Sequence, residues 1–320
     1  MNLQEFKLGL EELPLEMTKH TISGLTHELN GLVHAGGKKF RPGLLFLIGE
    51  LFDLKQSELT TYARAVELTH VASLVHDDVI DESNSRRNHP TLNHLRDNTT
   101  AILAGDYLLA TIMSELAGMN RNDILVDLTR SIQDLADGEW LQYDLKKKDF
   151  VRREDLELIS IKKTGSLIRW CCTTPGRLAG FDDIATLATL GEKIGLIFQM
   201  ADDIVDGLTI SGRPAFQDII NGQLNFVTLK LIELYPELAV SVYKFKDNPM
   251  VGIPWTMDQY NEAIRAVDLM IREENANTVA LFSRLCELKS KMELVPIFKL
   301  TVDKIQSNYA PFFEKLAEKA

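Results

Sequence analysis

The chain has 320 residues, of which 45% are hydrophobic and 25% are charged, a balance typical of a soluble globular protein. Its formal net charge of −11 argues against a nucleic-acid-binding protein, because such a protein carries a basic face. The three cysteines, Cys171, Cys172 and Cys286, form neither a disulfide framework nor a zinc-binding pattern, which fits a reducing compartment, and the adjacent Cys171 and Cys172 are interpreted as small core residues. The first residues lack a signal-peptide pattern, and we expect a cytoplasmic protein without membrane-spanning helices.

Helical periodicity dominates the chain, and strand-like alternation is almost absent. We therefore predict an all-α protein with ten or more helices, forming one domain over residues 1–320. The longest predicted helical segments, in chain order, are 60–80, 99–118, 122–145, 154–172, 182–206 and 258–288. Clusters of Gly, Pro and polar residues predict breaks at 34–37, 83–98, 173–176, 207–218 and 246–255.

Two of these predicted helices end in the same aspartate-rich pattern, DDxxD. The first cluster is Asp77, Asp78 and Asp81 in LVHDDVIDES (74–83), and the second is Asp202, Asp203 and Asp206 in QMADDIVD (199–206). Residues i and i+4 share one face of a helix, so the first and last aspartates of each cluster should project together. The middle residues, Asp78 and Asp203, should point about 100° away and support their neighbours.

Carboxylates in this arrangement need a compensating cation. Like charges at i and i+4 destabilise a helix, and the helix dipole disfavours anions at a C-terminal end. The ligands are all oxygen atoms, which indicates Mg²⁺ or Mn²⁺ rather than zinc. Since Mg²⁺ binds through one or two carboxylates plus substrate phosphates, the clusters predict a metal-bound diphosphate. The alternative is that each cluster is a solvated helix end, but two matching motifs make that alternative weaker.

Basic residues follow both acid clusters and suit a diphosphate. Arginine forks and lysine ammonium groups are common diphosphate ligands, although each residue alone is as readily explained as surface charge. The lysine run 146–148 is interpreted as solvated. The candidate anion-binding residues are Lys38, Arg41, Arg86, Arg87, Lys163, with its neighbour Thr164, and Arg213.

The motifs together resemble the trans-isoprenyl diphosphate synthases, also called polyprenyl synthetases. The resemblance covers roughly residues 30–230, and the ordered pair of DDxxD motifs with GGKKFRP is highly specific. The C-terminal third matches only as helix. The matching stretches are GGKKFRP (36–42), ELTHVASLVHDDVIDES (67–83), RRNHPT (86–91), AILAGDYLLA (101–110), GEWLQ (138–142), KTGSL (163–167) and FQMADDIVD (198–206).

The resemblance implies an all-α bundle around a deep apolar cavity, the isoprenoid synthase fold, in a homodimer. It implies a head-to-tail condensation of an allylic diphosphate with isopentenyl diphosphate, with three Mg²⁺ ions by the family pattern and Mn²⁺ as a substitute. No nucleic-acid partner is implied. Release of the apolar product implies a transient contact with a membrane.

The family also implies a role for each matching residue. By similarity, Asp77, Asp81 and Asp202 are metal ligands, while Asp78, Asp203 and Asp206 bind metal-bound water or support the ligands. The resemblance implies that the allylic diphosphate is contacted by Arg86, Lys163, Gln199 and Arg213. It implies that the isopentenyl diphosphate site is formed by Lys38, Arg41, His70 and Arg87. Thr164 is implied to stabilise the developing allylic cation.

The sequence departs from the family pattern in the motif after the second cluster. Gln223 stands where the family has a lysine, which removes one cation near the leaving diphosphate, and Asn225 stands where threonine is common. Asn88 replaces a glycine after the arginine pair. We expect either reduced activity or compensation by Lys230 or another cation.

Product length is predicted from the residues just before Asp77. By resemblance, Ala72 and Ser73 line the product tunnel, and both are too small to form its floor. We therefore predict a product of about C30–C40, by analogy with the long-chain members of the family. The candidate floor residues lie deeper, at Val66, Leu68, Leu109 and Met113.

Three alternatives remain open at this point. A shorter-chain farnesyl or geranylgeranyl diphosphate synthase would share all the motifs. A terpene cyclase or head-to-head synthase would not need GGKKFRP and Arg87. A non-catalytic subunit of a heteromeric synthase would fit the loss of a cation at Gln223, although such subunits tend to lose their acid clusters.

Overall fold

Helices form nearly all of the regular structure. The computed structural model describes residues 11, 13–15, 23–34, 39–86, 89–148, 150–208 and 215–311. Within these ranges the only strands are Ser85–Arg86 (β1) and His89–Pro90 (β2), which pair antiparallel with Arg86 opposite His89. The prediction of an all-α protein with ten or more helices is confirmed.

The helices follow one another with short connections. The first eight are α1 (Ser23–His34), α2 (Phe40–Leu51), α3 (Gln56–Ile80), α4 (Leu92–Leu95), α5 (Asn98–Ala117), α6 (Asn122–Leu145), α7 (Arg153–Ser160) and α8 (Ser166–Leu178). The later ones are α9 (Ile184–Asp206), α10 (Gln217–Ile220), α11 (Phe226–Leu234), α12 (Ala239–Asp247), α13 (Met257–Lys289) and α14 (Val295–Gln306). A π-helical turn, Ile161–Gly165, joins α7 to α8, and short 3₁₀ turns occupy Pro236–Leu238, Pro249–Val251 and Met292–Leu294.

Most predicted helix bounds agree with the structure to within a few residues, and the segment 122–145 agrees at both ends. The predicted break at 173–176 is wrong, because α8 runs through Pro175 to Leu178. A proline in a helix removes one backbone hydrogen bond, but residues 170–176 are all buried, and the surrounding core holds the helix together. The predicted break at 34–37 lies largely outside the described residues.

The chain divides into two compact units, each built from two separate stretches. The first unit comprises Met1–Ile132 and Trp170–Ala188. In it, α3 packs against α2 and α5, and Gly105 of α5 lies directly against the His76 ring, so a larger residue would not fit there. Trp170 lies beside Tyr62, with ring centroids 6.4 Å apart, and donates a hydrogen bond to the carbonyl of Ile124. The prediction of a single domain stays a prediction.

The second unit comprises Gln133–Arg169 and Thr189–Ala320. Its core includes α11 packed on α13 and an aromatic cluster of Phe216, Phe245, Trp255 and Tyr260. Gly191 and Gly195 of α9 lie against the backbone of residues 165–169, which brings α9 unusually close to the start of α8. This close approach positions several of the candidate site residues.

Among the described residues, two helices are long and apolar enough, by length and composition, to cross a membrane, contrary to the expectation that none would be. They are α5 and α9. This is weak evidence for a membrane span, since core helices of soluble proteins pass the same test. The C-terminal end of α9 also carries Asp202, Asp203 and Asp206.

Candidate active site

The first acid cluster lies at the C-terminal end of α3, and its three aspartates differ in their surroundings. Asp78 is buried, and its Oδ1 accepts hydrogen bonds from both Nε and Nη2 of Arg86, each at 2.9 Å. Asp77 is half-buried and Asp81 is exposed. The middle aspartate therefore holds an arginine, and the outer two keep accessible surface on one face of the helix end.

The turn that follows α3 is fixed by side chains from the next connection. Asn93 donates from Nδ2 to the carbonyls of Asp78 and Ser83, both at 3.1 Å. Thr91 donates its hydroxyl to the carbonyl of Ser83 at 2.6 Å. These bonds add to the backbone bond from the N–H of Ser83 to the carbonyl of Asp78, and they hold the segment carrying Arg86 near Asp78.

The second acid cluster ends α9, and its middle aspartate is again the buried one. Asp203 is buried and accepts hydrogen bonds from Nε2 of Gln199 at 2.9 Å and from the backbone N–H of Phe226 at 2.8 Å. Burial, together with the nearby Asp218 carboxylate, raises the pKa of Asp203 well above its ordinary value. Asp203 thus ties α9 to the first residue of α11, whereas Asp202 is exposed.

Asp206 closes the connection that follows α9. Its carboxylate accepts hydrogen bonds from the backbone N–H groups of Gln217 and Asp218, with Oδ1 at 3.0 and 3.3 Å. Its carbonyl accepts from the N–H of Phe216 at 2.8 Å. Asp206 therefore joins the end of α9 to the residues at the start of α10. The carboxylate of Asp206 is occupied by backbone donors.

The π-helical turn carries Lys163 and Thr164. Lys163 forms an ion pair with Glu139 and donates to Oε1 of Gln142 at 2.8 Å. Thr164 donates its hydroxyl to Oε1 of Gln199 at 3.0 Å. Since the amide of Gln199 is also bound to Asp203, one continuous chain of hydrogen bonds fixes the Thr164 hydroxyl and the Gln199 amide. Such single π-turns inside α-helices occur frequently at functional sites.

The carboxylates that keep accessible surface have the chemistry of a Mg²⁺ site. Asp77 is half-buried and Asp81 and Asp202 are exposed, while Asp78 and Asp203 are buried. No three His, Cys, Asp or Glu side chains of the described ranges converge into a preformed metal cage. Mg²⁺ does not need one, because substrate phosphates and water complete its six ligands.

Sequence comparison decides which family this is. The sequence profile of the polyprenyl synthetases matches residues 23–249. A prenyl transferase of Synechocystis is 38% identical over 248 residues, which are 74% of this chain and 75% of that protein. The chain belongs to the polyprenyl synthetase family. The predicted family and enzyme class, a prenyltransferase, are therefore confirmed.

Further relatives extend this comparison. Solanesyl diphosphate synthase 2 of Arabidopsis thaliana is 35% identical over 220 residues, which are 64% of this chain and about half, 52%, of the plant protein. A decaprenyl diphosphate synthase of Rhodobacter capsulatus has the same fold, with 22% identity, a TM-score of 0.77, and coverage of 96% and 97% of the two chains.

Two other solved structures share the fold. A geranylgeranyl pyrophosphate synthase gives 22% identity and a TM-score of 0.74, covering 96% of this chain and 99% of its own. A Caulobacter crescentus polyprenyl synthase, solved with calcium and isoprenyl diphosphate, gives 22% identity and a TM-score of 0.73, covering 93% and 94%. The predicted isoprenoid synthase fold is confirmed.

The departures of this polyprenyl synthetase from the family pattern have clear local partners. Gln223 accepts a hydrogen bond from Nε2 of Gln142, the residue that also accepts from Lys163. Asn225 caps the start of α11 by accepting from the N–H of Thr228 at 3.0 Å, and its Nδ2 donates to Asp218 at 2.9 Å. Lys230, the predicted compensating cation, pairs with Glu233 at 2.5 Å.

The two predicted tunnel residues of the polyprenyl synthetase lie on different faces of α3. Ala72 has no exposed surface and lies on the face of His76, which contacts α5. Ser73 is half-buried on the face of Asp77, and its hydroxyl donates to the carbonyl of His70 at 2.9 Å. Of the two, only Ser73 has surface that a bound molecule can contact.

The other predicted substrate residues are partly described. Arg41 and His70 are half-buried in the first unit. Lys38, Arg87 and Arg213, as well as Asn88, lie outside the described residues, and their predicted roles stay predictions.

Sequence reasoning assigned no role to several residues that organise the polyprenyl synthetase site. Glu139 and Gln142 hold Lys163, and Asn93 holds the turn after the first cluster. The spacing of Glu139 and Gln142 was a usable signal, since residues three apart share a helix face. Asn93 had no such signal, because its partners are backbone carbonyls.

Proposed function

We propose that this chain condenses an allylic diphosphate with isopentenyl diphosphate, head to tail, in a Mg²⁺-dependent reaction. The observation that carries the proposal is the pair of DDxxD clusters, each with a buried middle aspartate that protein donors hold. Arg86 binds Asp78, and Gln199 and the backbone N–H of Phe226 bind Asp203, while Asp77 is half-buried and Asp81 and Asp202 are exposed. Two helices that end in the same motif around a buried middle aspartate suit a metal-bound anion better than they suit two solvated helix ends.

The side chains of the two units then have distinct tasks. Bound Mg²⁺ would neutralise the diphosphate and make it a leaving group without protonation. Arg86, oriented by Asp78, and Lys163, oriented by Glu139 and Gln142, would bind diphosphate oxygens. The fixed Thr164 hydroxyl would stabilise the developing allylic cation, and the Gln199 amide that holds it would contact the allylic diphosphate.

The decisive experiment is an assay of the purified protein with radiolabelled isopentenyl diphosphate, Mg²⁺ and a panel of allylic primers. We expect turnover that depends on both substrates and is lost with EDTA. Turnover without isopentenyl diphosphate would instead indicate a cyclase. Absence of turnover by the protein alone would favour a subunit of a heteromeric synthase, the second candidate, which the missing cation at Gln223 favours.

The metal role of the outer aspartates has a matched control. Asp81→Asn and Asp202→Asn should each lower kcat about ten- to a hundredfold, because each removes one charge-assisted contact. Glu82→Gln removes the same charge from the exposed residue next to Asp81 and should leave kcat unchanged. Equal effects of Asp81→Asn and Glu82→Gln would contradict the assignment.

We further propose a long-chain product of about C30–C40, by analogy with long-chain relatives. The solanesyl and decaprenyl synthase relatives support a long-chain product rather than this exact length, and a geranylgeranyl synthase shares the same fold. The small, accessible side chain at Ser73 agrees with it. Release of such a product through a transient membrane contact belongs to the same proposal.

Substitution at Ser73 tests the product length. Ser73→Phe should shorten the product, because the ring would stand on the face of Asp77, whereas Ser57→Phe on the exposed first turn of α3 should not. Ala72→Phe is a poorer test, since overpacking a fully buried position costs about 1–3 kcal/mol of stability. Chromatography of dephosphorylated products gives the chain lengths. An unchanged product from stable Ser73→Phe protein would reject position 73 as a tunnel residue.

A homodimer is also proposed, following the family pattern. Ile102 and Leu103 on α5 are 44% and 59% exposed, and Leu95 is 59% exposed, an apolar surface of the kind that marks an interface. Light scattering should give twice the chain mass for the wild type and the single mass for Leu103→Glu. Leu269→Glu, at a 67% exposed position of α13, is the control. A monomeric wild type would exclude the proposal.

A further inference from the structure

The π-helical turn is the part of the second unit whose register matters most for the proposed chemistry. It spans Ile161–Gly165 and carries Lys163 and Thr164. A π-turn holds one residue more than an α-helical turn, and losing it would rotate the side chains on one side by about 100°. The turn therefore needs contacts that distinguish its register from that of a continuous α-helix.

Lys162 supplies such contacts, although no motif includes it. Its Nζ lies 2.8 Å from Oδ1 of Asp134 and 2.9 Å from Oδ2 of Asp137, both on α6. The other oxygen of Asp134 accepts from Nη2 of Arg169 at 2.6 Å. Asp134 thus joins one residue inside the π-turn to another in the first turn of α8.

Backbone packing holds the turn closely on both sides. A Cβ at Gly138 of α6 would lie 3.0 Å from the backbone nitrogen of Lys163 and 2.6 Å from its Cγ. On the other side, Gly195 of α9 lies directly against the backbone of Gly165. The turn is held between two helices, and Lys162 is its charged attachment to one of them.

Ionisation favours the same arrangement. Hydrogen bonds to Asp134 and Asp137 raise the pKa of Lys162. Burial raises the pKa of Asp134, but the hydrogen bonds from Lys162 and Arg169 outweigh it and leave that pKa below its usual value. Both groups therefore stay charged at neutral pH, and the attachment persists throughout the working range.

We propose that Lys162, bound by Asp134 and Asp137, is a positioning residue that holds the π-turn in the register presenting Lys163 and Thr164 to the allylic diphosphate. This rests on the function proposed above. Lys162 itself contacts no substrate in this scheme, because both acids already occupy its ammonium group. Its effect reaches the reaction only through its neighbours.

The test compares Lys162→Met with a matched control, Lys193→Met. Lys193 belongs to the same unit and pairs with Glu274 at 2.8 Å, but it does not contact the turn. Lys162→Met should raise KM for the allylic diphosphate about tenfold and leave KM for isopentenyl diphosphate unchanged, and Lys193→Met should change neither. Lys162→Arg should restore most of the loss. Equal effects of the two methionine variants would overturn the proposal.

A double-mutant cycle separates positioning from an independent role. If Lys162 acts through Lys163, adding Lys162→Met to Lys163→Met should cost less than twofold more in kcat/KM. Losses that multiply would overturn the proposal. Asp137→Asn, at a carboxylate 62% exposed, is a second variant that should fold normally and shift KM in the same direction.

A binding measurement keeps failure of this proposal distinct from failure of the proposed function. Calorimetry with inorganic pyrophosphate and Mg²⁺ should give weaker binding for Lys162→Met than for Lys193→Met, whether or not the wild type transfers prenyl groups. Absent prenyl transfer by the wild type would refute the function alone. Identical pyrophosphate affinities of the two variants would refute the role of Lys162.

Discussion

Gln223 has a defined partner, and this decides how its replacement should be read. Its amide accepts from Gln142, whose own oxygen accepts from Lys163, so the three side chains form one line of hydrogen bonds. Because Gln223 and Gln142 are neutral, Lys163 is the cation of these three side chains. A lysine at the same position would add a second ammonium group beside a diphosphate site.

We therefore expect Gln223→Lys to raise kcat/KM for the allylic diphosphate about tenfold, the equivalent of one charge-assisted contact of about 1.4 kcal/mol. Gln223→Met, similar in length but uncharged, breaks the bond to Gln142 without adding charge, and should lower kcat/KM. Steady-state kinetics at varied allylic diphosphate gives both values. A loss of activity in Gln223→Lys would mean that Lys230 or another cation already serves this role.

The six aspartates also show what single residues reveal before a structure is known. Helical geometry alone predicted that Asp78 and Asp203 would point away from their neighbours, because residues one apart are separated by about 100°. It did not predict their partners. The backbone N–H of Phe226 and the guanidinium of Arg86 reach them only after the following connections have folded back.

At the scale of elements, the N-cap residue of α11, Asn225, joins this helix to α10. Asn225 accepts from the N–H of Thr228 as the helix N-cap and donates to Asp218, beside the backbone donors that hold Asp206. Loss of an N-cap typically costs about 1 kcal/mol, and Asp218 would lose a donor as well. The substitution of Asn for the usual Thr therefore keeps the N-cap hydrogen bond and adds a hydrogen bond to Asp218.

Asn225→Ala should lower the free energy of unfolding by about 1–2 kcal/mol. Asn225→Thr keeps an oxygen for the N–H of Thr228 but loses the amide that reaches Asp218, and should cost less than half as much. Urea titrations followed by circular dichroism measure both. Equal losses of unfolding free energy in the two variants would mean that the hydrogen bond to Asp218, rather than the N-cap, stabilises this part of the protein.

Two elements were beyond sequence prediction, for different reasons. The π-turn requires one extra residue in a helix, and the periodicity of 154–172 carries no mark of it. Tertiary contacts from Asp134 and Gly138 select that register. Pro175 has a strong local preference against helix interiors, yet burial of its neighbours overrides that preference.

At the scale of the whole molecule, the family and the all-α architecture followed from a few spaced motifs. These motifs can be recognised in the sequence because the chemistry fixes both their residue types and their order. The residues that hold the site in place, such as Asn93 and Lys162, are harder to recognise, because their partners are distant in sequence and include backbone groups. Their positions depend on how the connecting segments pack.

The reactivity of the three cysteines shows whether both units are folded. All three are free and buried, as the sequence predicted for Cys171 and Cys172. Burial raises the pKa of Cys171 and Cys172 well above the ordinary value, and it raises the pKa of Cys286 to about 11. Since the thiolate is the reactive form, none should react at pH 8 while the protein is folded.

Ellman's reagent at pH 8 should therefore release almost no thionitrobenzoate from the native protein within minutes, and three equivalents in denaturant. Cys171 and Cys172 belong to the first unit and Cys286 to the second. Cys286→Ala should therefore release two equivalents in denaturant, and any slow release from the native variant then comes from the first unit. Because a thiol pKa raised by folding favours the native state only below the ordinary thiol pKa, stability should fall as pH rises above about 8.5. A thiol that reacts at once in the native wild type would mean that its surroundings open far more readily than the packing of α8 or α13 predicts.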